Sequence, residues 1–320
     1  MAFSSVGTQT HIWNNNIKSA ILLLGFPLLL LSFIWAFLWF AASIPIFHNP
    51  DHSPMEISLQ MMQQIWPYVL SFMLCWFVVA WLWQKNIVSY MTGAHPVTRA
   101  QAPLLYNLTE NLCISRGMQM PQLYLIDSPA LNAYAFGTGQ QSQHIAVTQG
   151  LLTNLSKDEL ESVLAHELTH IFHRDSRFTS ISLVFIGLFG MLIVLLRNIH
   201  DRFSIMKTPI PHFVILYALA LPIRLGMQGL LTIANWLAKT LSAALSRRRE
   251  YNADAGAVML TQNADALIRA LTKIAQNPFV ATASPHFSAM FIQPLTHYND
   301  YWHHTHPPLA KRIAILQRIS

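Results

Sequence analysis

From Ser19 to Phe47 the chain carries no Asp, Glu, Lys or Arg, and the run is rich in Leu, Ile, Phe and Trp. About 20 apolar residues in a helix span a bilayer, so this stretch selects a membrane helix. Pro27 lies inside it, and membrane helices tolerate such a proline. The run is too long for a secretory h-region and no small-residue cleavage site follows, so it reads as retained. A second uncharged run covers Ile57 to Gln84, apolar from Ile65 to Trp83, with Trp66, Trp81 and Trp83 near its ends where interfacial aromatics belong. A third runs from Phe178 to Leu196 between Arg177 and Arg197. The fourth, Phe213 to Leu245, is interrupted by Arg224 and Lys239. It reads either as one long helix leaving the bilayer or as a hairpin at the membrane surface, because an arginine at bilayer depth is costly.

Charged residues make up 11% of the 320 positions and hydrophobic ones 53%, against roughly 25% charge in a soluble domain. That composition excludes disorder, which needs low hydrophobicity, and an ordinary cytosolic enzyme. The net charge of +6 reads as basic residues flanking membrane spans, with no nucleic-acid partner. Cys75 and Cys113, the two cysteines, make neither a disulfide framework nor a cysteine zinc site. His48 to Gln64 holds Asp51 and Glu56 but no Lys or Arg and reads as external. The segment after Lys85, with Arg99, Arg116, Lys157, Arg174 and Arg177, reads as cytosolic. Arg197, Arg202 and Lys207 join the third and fourth runs. They break the rule if both runs cross fully, and a re-entrant pair would satisfy it.

The expected fold is therefore a mainly α membrane protein with about four hydrophobic helices and a cytosolic α+β domain. The division is 1–90 for two transmembrane helices, 91–177 and 246–320 for the two parts of the cytosolic domain, and 178–245 for the second hydrophobic pair. Ala102 to Arg116 has Leu104, Leu105, Leu108 and Leu112 at helical spacing. Gln122 to Ile126 and His144 to Thr148 are β-like and are expected to pair, a hairpin being one arrangement. Ser156 followed by Glu159 is a capping-box signature, so a helix starts there and runs to about Phe172. Further helices are expected at Arg247–Leu260, Asp265–Gln276 and Leu309–Arg318.

That Ser156 helix carries His166-Glu167-Leu168-Thr169-His170. Residues i and i+4 share a helical face, so both imidazoles can grip one Zn2+ ion. Glu167 then reaches the open metal position as general base and acid. A catalytic zinc needs a third protein ligand. His173, on the same helix, is poorly placed to complete a tetrahedron and reads as structural. His173 and Ser176 stand where the extended metzincin pattern needs Gly and His, which excludes that class. Beyond Glu167 the one remaining glutamate is Glu250, in Arg249-Glu250-Tyr251-Asn252-Ala253-Asp254. Two apolar runs separate it from His166, so both fall in one compartment.

These motifs resemble those of the HtpX-type membrane zinc metalloproteases, gluzincins related to the CAAX prenyl proteases. Leu164 to His170 with Asp175 matches the first family motif and Glu250 to Asp254 the third-ligand motif. Asn132 to Gly137 resembles the loop before the active-site edge strand, Ile145 to Leu151 that strand, and Thr305-His306-Pro307-Pro308 with Arg312-Ile313 the C-terminal motif. The resemblance implies one Zn2+ per subunit on His166, His170 and Glu250, with Glu167 as the proton carrier. It implies Asp254 and Asp175 as supports behind the ligands, His306 and Arg312 as candidates for oxyanion or substrate contact, and structural packing as the other role for both. It implies that 91–177 and 246–320 form a zincin-like catalytic domain with a small edge-strand sheet, the third zinc ligand in its second part, and that Asn132, Ala133, Ile145, Ala146 and Val147 lie along an extended substrate. His286, His297, His303 and His304 read as surface or interfacial residues rather than a second metal site.

The resulting expectation is a zinc endopeptidase of the bacterial cytoplasmic (inner) membrane, its active site facing the cytosol. Misfolded or damaged membrane proteins are its substrates, the lipid bilayer its permanent partner, and a homo-oligomer one option. An intramembrane site-two-type protease would place the motif in lipid, whereas here Lys157, Asp158, Glu159, Glu161, Arg174 and Asp175 bracket it with charge. A non-catalytic scaffold or transporter with a relic motif would have lost the base or a ligand, and both remain.

Overall fold

The structure, a computed structural model, describes residues 8–43, 51–137, 142–176, 249–281, 290–293 and 306–318, with isolated positions at 179–180, 225–226, 228–229, 232–233, 236 and 283. The third apolar run and most of the fourth lie outside the described residues. Contacts group the chain into two units, one of residues 1–20, 80–183 and 240–320, the other of residues 21–79 and 184–239.

Helix α1 (Thr8–Ala42) contains Pro27. Helix α2 (Pro54–Thr92) is opened by Ser53, whose Oγ accepts from the Glu56 amide while Glu56 accepts from the Ser53 amide. Among the described residues α2 is the helix long and apolar enough to cross a membrane. Tyr68, Leu74 and Leu82 stand exposed along it, as lipid-facing side chains do. Of the about four hydrophobic helices expected, this one stands among the described residues.

The first unit is built on a four-stranded mixed sheet. It comprises β1 (Ala94–Pro96), β2 (Gln122–Ile126), β3 (Ala133–Phe136) and β4 (His144–Thr148), in the order β1-β2-β4-β3. β2 and β4 do pair, but in parallel, with Leu123 opposite Ile145. The hairpin is β3 with β4, antiparallel, Tyr134 opposite Ala146. The expected β2–β4 hairpin fails because the stretch between them folds as a strand of its own.

One sheet face and the hydrophobic side of α3 (Pro103–Arg116) enclose the larger core with α5 (Lys157–Phe172). α3 starts at Pro103, where a missing N–H is harmless, and ends at Gly117, whose φ of +64° suits a residue without Cβ. Thr148 caps α4 (Gln149–Asn154), accepting from the Leu151 amide. At α5 Ser156 and Glu159 exchange backbone bonds reciprocally, and Glu159 also holds Lys273 at 2.7 Å. Lys273 belongs to α7 (Ala264–Ile274), capped by Asn263. Residues 249–261 form α6, and α8 (Leu309–Leu316) follows Pro308. The other sheet face packs Tyr124, Tyr134 and Phe136 on Val88 of α2 and on Val280 and Phe291.

Candidate metal centre and active site

α5 and α6 cross where Gly256 meets Thr169: a Cβ on Gly256 would lie 2.4 Å from Thr169 Cγ2. That close approach brings α6 carboxylates to α5 imidazoles. His166 Nε2 and His170 Nε2 stand 3.1 Å apart. Glu250 Oε1 lies 3.5 Å from His170 Nε2, and Oε2 lies 3.8 Å from His166 Nε2. Donors about 2.05 Å from a tetrahedral zinc are separated by about 3.3 Å, so the triad is spaced for such an ion. Among the described residues these three donors form the cluster that converges in this way.

The rings are also oriented for a metal. His166 Nδ1 is 3.0 Å from Asp254 Oδ1, and His170 Nδ1 is 3.0 Å from Asp175 Oδ2. A carboxylate on Nδ1 fixes the proton there and turns the Nε2 lone pair toward the centre. Glu250 is buried, and its Oε1 faces His170 Nε2 while Oε2 lies between His166 Nε2 and His306 Nδ1, a carboxylate suited to a cation. The residues therefore fit a single divalent ion.

Glu167 is 1% exposed. Burial pushes its carboxyl up to about 7, with Glu250 adding to the effect and His170 opposing it; the Ala135 amide of β3 hydrogen-bonds it. A carboxyl poised near neutrality can both take and return a proton. Burial lowers His166. In His170 burial also acts downward, but Asp175 and Glu250 prevail and raise it to about 9. Burial opposes ionisation of Glu250, yet His306, His170 and Arg312 hold it well below the usual carboxylate range.

His306 Nδ1 sits 2.9 Å from Glu250 Oε2, and its buried Nε2 has no hydrogen-bond partner among the described residues. Arg312 is fully buried. Its Nη2 and Nε donate to Asp254 at 2.6 and 2.8 Å, and its Nη1 donates to the Ile292 carbonyl at 3.2 Å. With its donors spent in this way it acts as a brace behind His166. His173 caps α5, its amide donating to the Thr169 carbonyl, and stands outside the converging triad.

Ile145, Ala146 and Val147 require correction. They sit in β4, between β2 and β3, with ladders on both sides. An interior strand has no free backbone to offer a substrate, so the edge strand is β3, which contains Ala133. Asn132 is fully buried, and its amide donates to the Pro278 and Gln293 carbonyls, each at 2.9 Å.

Sequence reasoning missed two contributors. Arg249 is buried and donates to the Asp175 carbonyl at 3.4 Å; it resembled the last member of a basic run at the membrane edge. Gly256 gave a legible signal, a glycine inside a helical pattern, which marks close packing.

Two imidazoles and a carboxylate on one point, with a second carboxylate from the same HExxH helix, make the donor set of a metal-dependent hydrolase. Residues 99–320 match peptidase family M48. A protease HtpX homolog of Bacteroides fragilis strain YCH46 is 36% identical over 326 aligned residues, 98% of this chain and 99% of that protein. Another, from Dictyoglomus turgidum, is 33% identical over 259 residues, covering 79% of this chain and 82% of its own. The crystal structure of S. mikatae Ste24p is similar with a TM-score of 0.47 and 21% identity, over 78% of this chain and 57% of that one. The chain belongs to peptidase family M48. It is a membrane metalloprotease, and its substrates are proteins.

Proposed function

We infer that the chain is a zinc endopeptidase of the bacterial cytoplasmic membrane that cleaves misfolded or damaged membrane proteins at the cytosolic face. The observation that carries the chemistry is the convergence of His166, His170 and Glu250, with Asp254 and Asp175 behind the two rings at 3.0 Å. Zinc held there would polarise the scissile carbonyl and lower the pKa of water. Glu167, its carboxyl near neutrality, takes the proton from the attacking water and delivers it to the leaving amine. His306 stands beside the ligands, its Nδ1 2.9 Å from Glu250 Oε2, and would donate from Nε2 to the developing oxyanion when both ring nitrogens carry protons. The β3 edge receives the substrate backbone as an added strand, next to the Ala135 amide that holds Glu167.

The test is metal content and casein-type cleavage by the detergent-purified chain beside Glu167→Gln. The variant is expected to keep wild-type metal and lose at least about 10²-fold in rate, the usual contribution of a positioned acid–base. Equal cleavage by both proteins refutes the assignment.

A further inference from the structure

The outer edge of β3 is already taken, and by a distant part of the same chain. Tyr134 forms an antiparallel bridge with Phe291. The Ile292 amide donates to the Ala133 carbonyl at 2.8 Å, while the Ile292 carbonyl accepts from Arg312 at 3.2 Å. Asn132 closes the next residue from both sides: its Nδ2 donates to the Gln293 carbonyl at 2.9 Å, and its Oδ1 accepts from the Gln293 amide at 3.3 Å. An acceptor on the edge strand, the brace of the metal site and an asparagine side chain thus all grip backbone atoms of two consecutive residues, Ile292 and Gln293, beside the bridged Phe291. That is how an extended peptide is held by strand addition. The strip lies along the edge whose Ala135 amide bonds the general base. Among the described residues the contact is a single bridge.

We propose that residues 290–293 are an intramolecular stand-in for substrate, occupying the β3 edge and displaced when an extended polypeptide enters. The proposal rests on the protease reading above. Phe291 and Ile292 are 0% and 1% exposed, and Phe291 stacks edge-on against Tyr134 with centroids 4.7 Å apart. Burying two such side chains favours the closed strip by about 10²- to 10⁴-fold. A folded or short substrate lacks the backbone contacts to overcome that ratio. A long unfolded chain has them, so the strip biases the enzyme toward unfolded segments.

The test uses the full chain in detergent. Tyr134 and Phe291 form a non-hydrogen-bonded antiparallel pair, whose typical Cα separation of about 4.5 Å lies within disulfide range. Y134C combined with F291C, once oxidised, should cleave unfolded casein at least about 100-fold more slowly than the same protein after reduction, with the wild type unaffected by either treatment. Equal rates in the two redox states overturn the proposal. Should the reduced pair itself be idle while the wild type cleaves, hydrogen exchange in Glu167→Gln decides. Adding saturating unfolded casein should raise exchange at the Ile292 amide at least tenfold, and unchanged protection with casein bound overturns the proposal. A wild type that cleaves nothing refutes the protease reading, and the stand-in role falls with it.

Discussion

Replacing Asp254 by Asn tests the support of the metal site at its most heavily used side chain. Asp254 Oδ1 serves both Arg312 Nη2 at 2.6 Å and His166 Nδ1 at 3.0 Å, while Oδ2 takes Arg312 Nε at 2.8 Å. An amide has one oxygen. Placed at Oδ1 it turns its NH2 against Arg312 Nε, and flipped it turns the NH2 against two donors. Either way Arg312, fully buried, loses its bidentate counterion, and the carboxylate left near it is Glu250 at 3.7 Å, with the Ile292 carbonyl beside it. Breaking a buried ion pair on one side costs about 3–5 kcal/mol. The nearby Glu250 charge places this case at the lower end, about 3 kcal/mol. Loss of the carboxylate behind His166 should weaken metal binding about 10- to 100-fold. Urea melts of the solubilised chain give the first quantity, and competition with a chromophoric zinc chelator gives the second. Asp127→Asn is the control, since that side chain is 79% exposed and should change stability by less than about 0.5 kcal/mol. A D254N protein that melts within that range of wild type and keeps its metal affinity within about twofold would refute the role given to the Arg312–Asp254–His166 chain.

Gly256→Ala should destabilise the fold by about 1–3 kcal/mol through overpacking against Thr169 and lower metal occupancy. Recovery of occupancy in the double variant with Thr169→Ser would trace the effect to that crossing, whereas no loss in G256A would refute the close approach. Ser156→Ala should cost about 1 kcal/mol by removing the α5 cap, read by thermal melts with metal loaded. Metal binding should release about one proton at pH 7–8, because His170, raised to about 9, must be neutral to ligate. Its folded value exceeds the usual 6.5, so the stability it contributes to the metal-free protein is complete below pH 6.5 and is lost as pH rises through about 9. Calorimetry in buffers of different ionisation enthalpy counts the proton, and a metal-free melting temperature flat from pH 6.5 to 9 would contradict the ordering.

How far the sequence reached depended on whether a signal was local. The start of α5 could be read because a capping box is a four-residue device, and His166 and His170 because one helical turn places them together. Glu250 could be reached because glutamate is scarce in this chain. β3 was read as a loop because Ala133 to Phe136 is buried on both faces, leaving no polar–apolar alternation to mark a strand. That strand converts the expected β2–β4 hairpin into a parallel pair and moves the edge from β4 to β3. Arg312 sits on a short helix where an arginine would ordinarily be solvated. Only Asp254, 58 positions earlier, explains why it is fully buried. The hold of Asn132 on Gln293, across 161 positions, leaves no trace in spacing or composition.

The electrostatics of the site connect these distant residues. Glu167, Glu250, Asp254 and Asp175 are each no more than 4% exposed, and among the described residues Arg312 and Arg249 are the buried guanidiniums that oppose them. Four carboxylates against two guanidiniums leave a formal charge of −2 when the imidazoles are neutral. A buried cluster of that charge carries a desolvation penalty of several kcal/mol per unpaired ion. Protons relieve it partly, which is why His170 is raised to about 9 and Glu167 to about 7. A divalent cation relieves it completely. The same account explains the division of labour between the two arginines: Arg312 braces the support of His166 and Arg249 lies beside that of His170, one cation behind each ligand ring. Without Arg312, which holds the Glu167 carboxyl down, the cluster would hold its second proton more tightly. Glu167 would then be a poorer base at the pH where the enzyme must work.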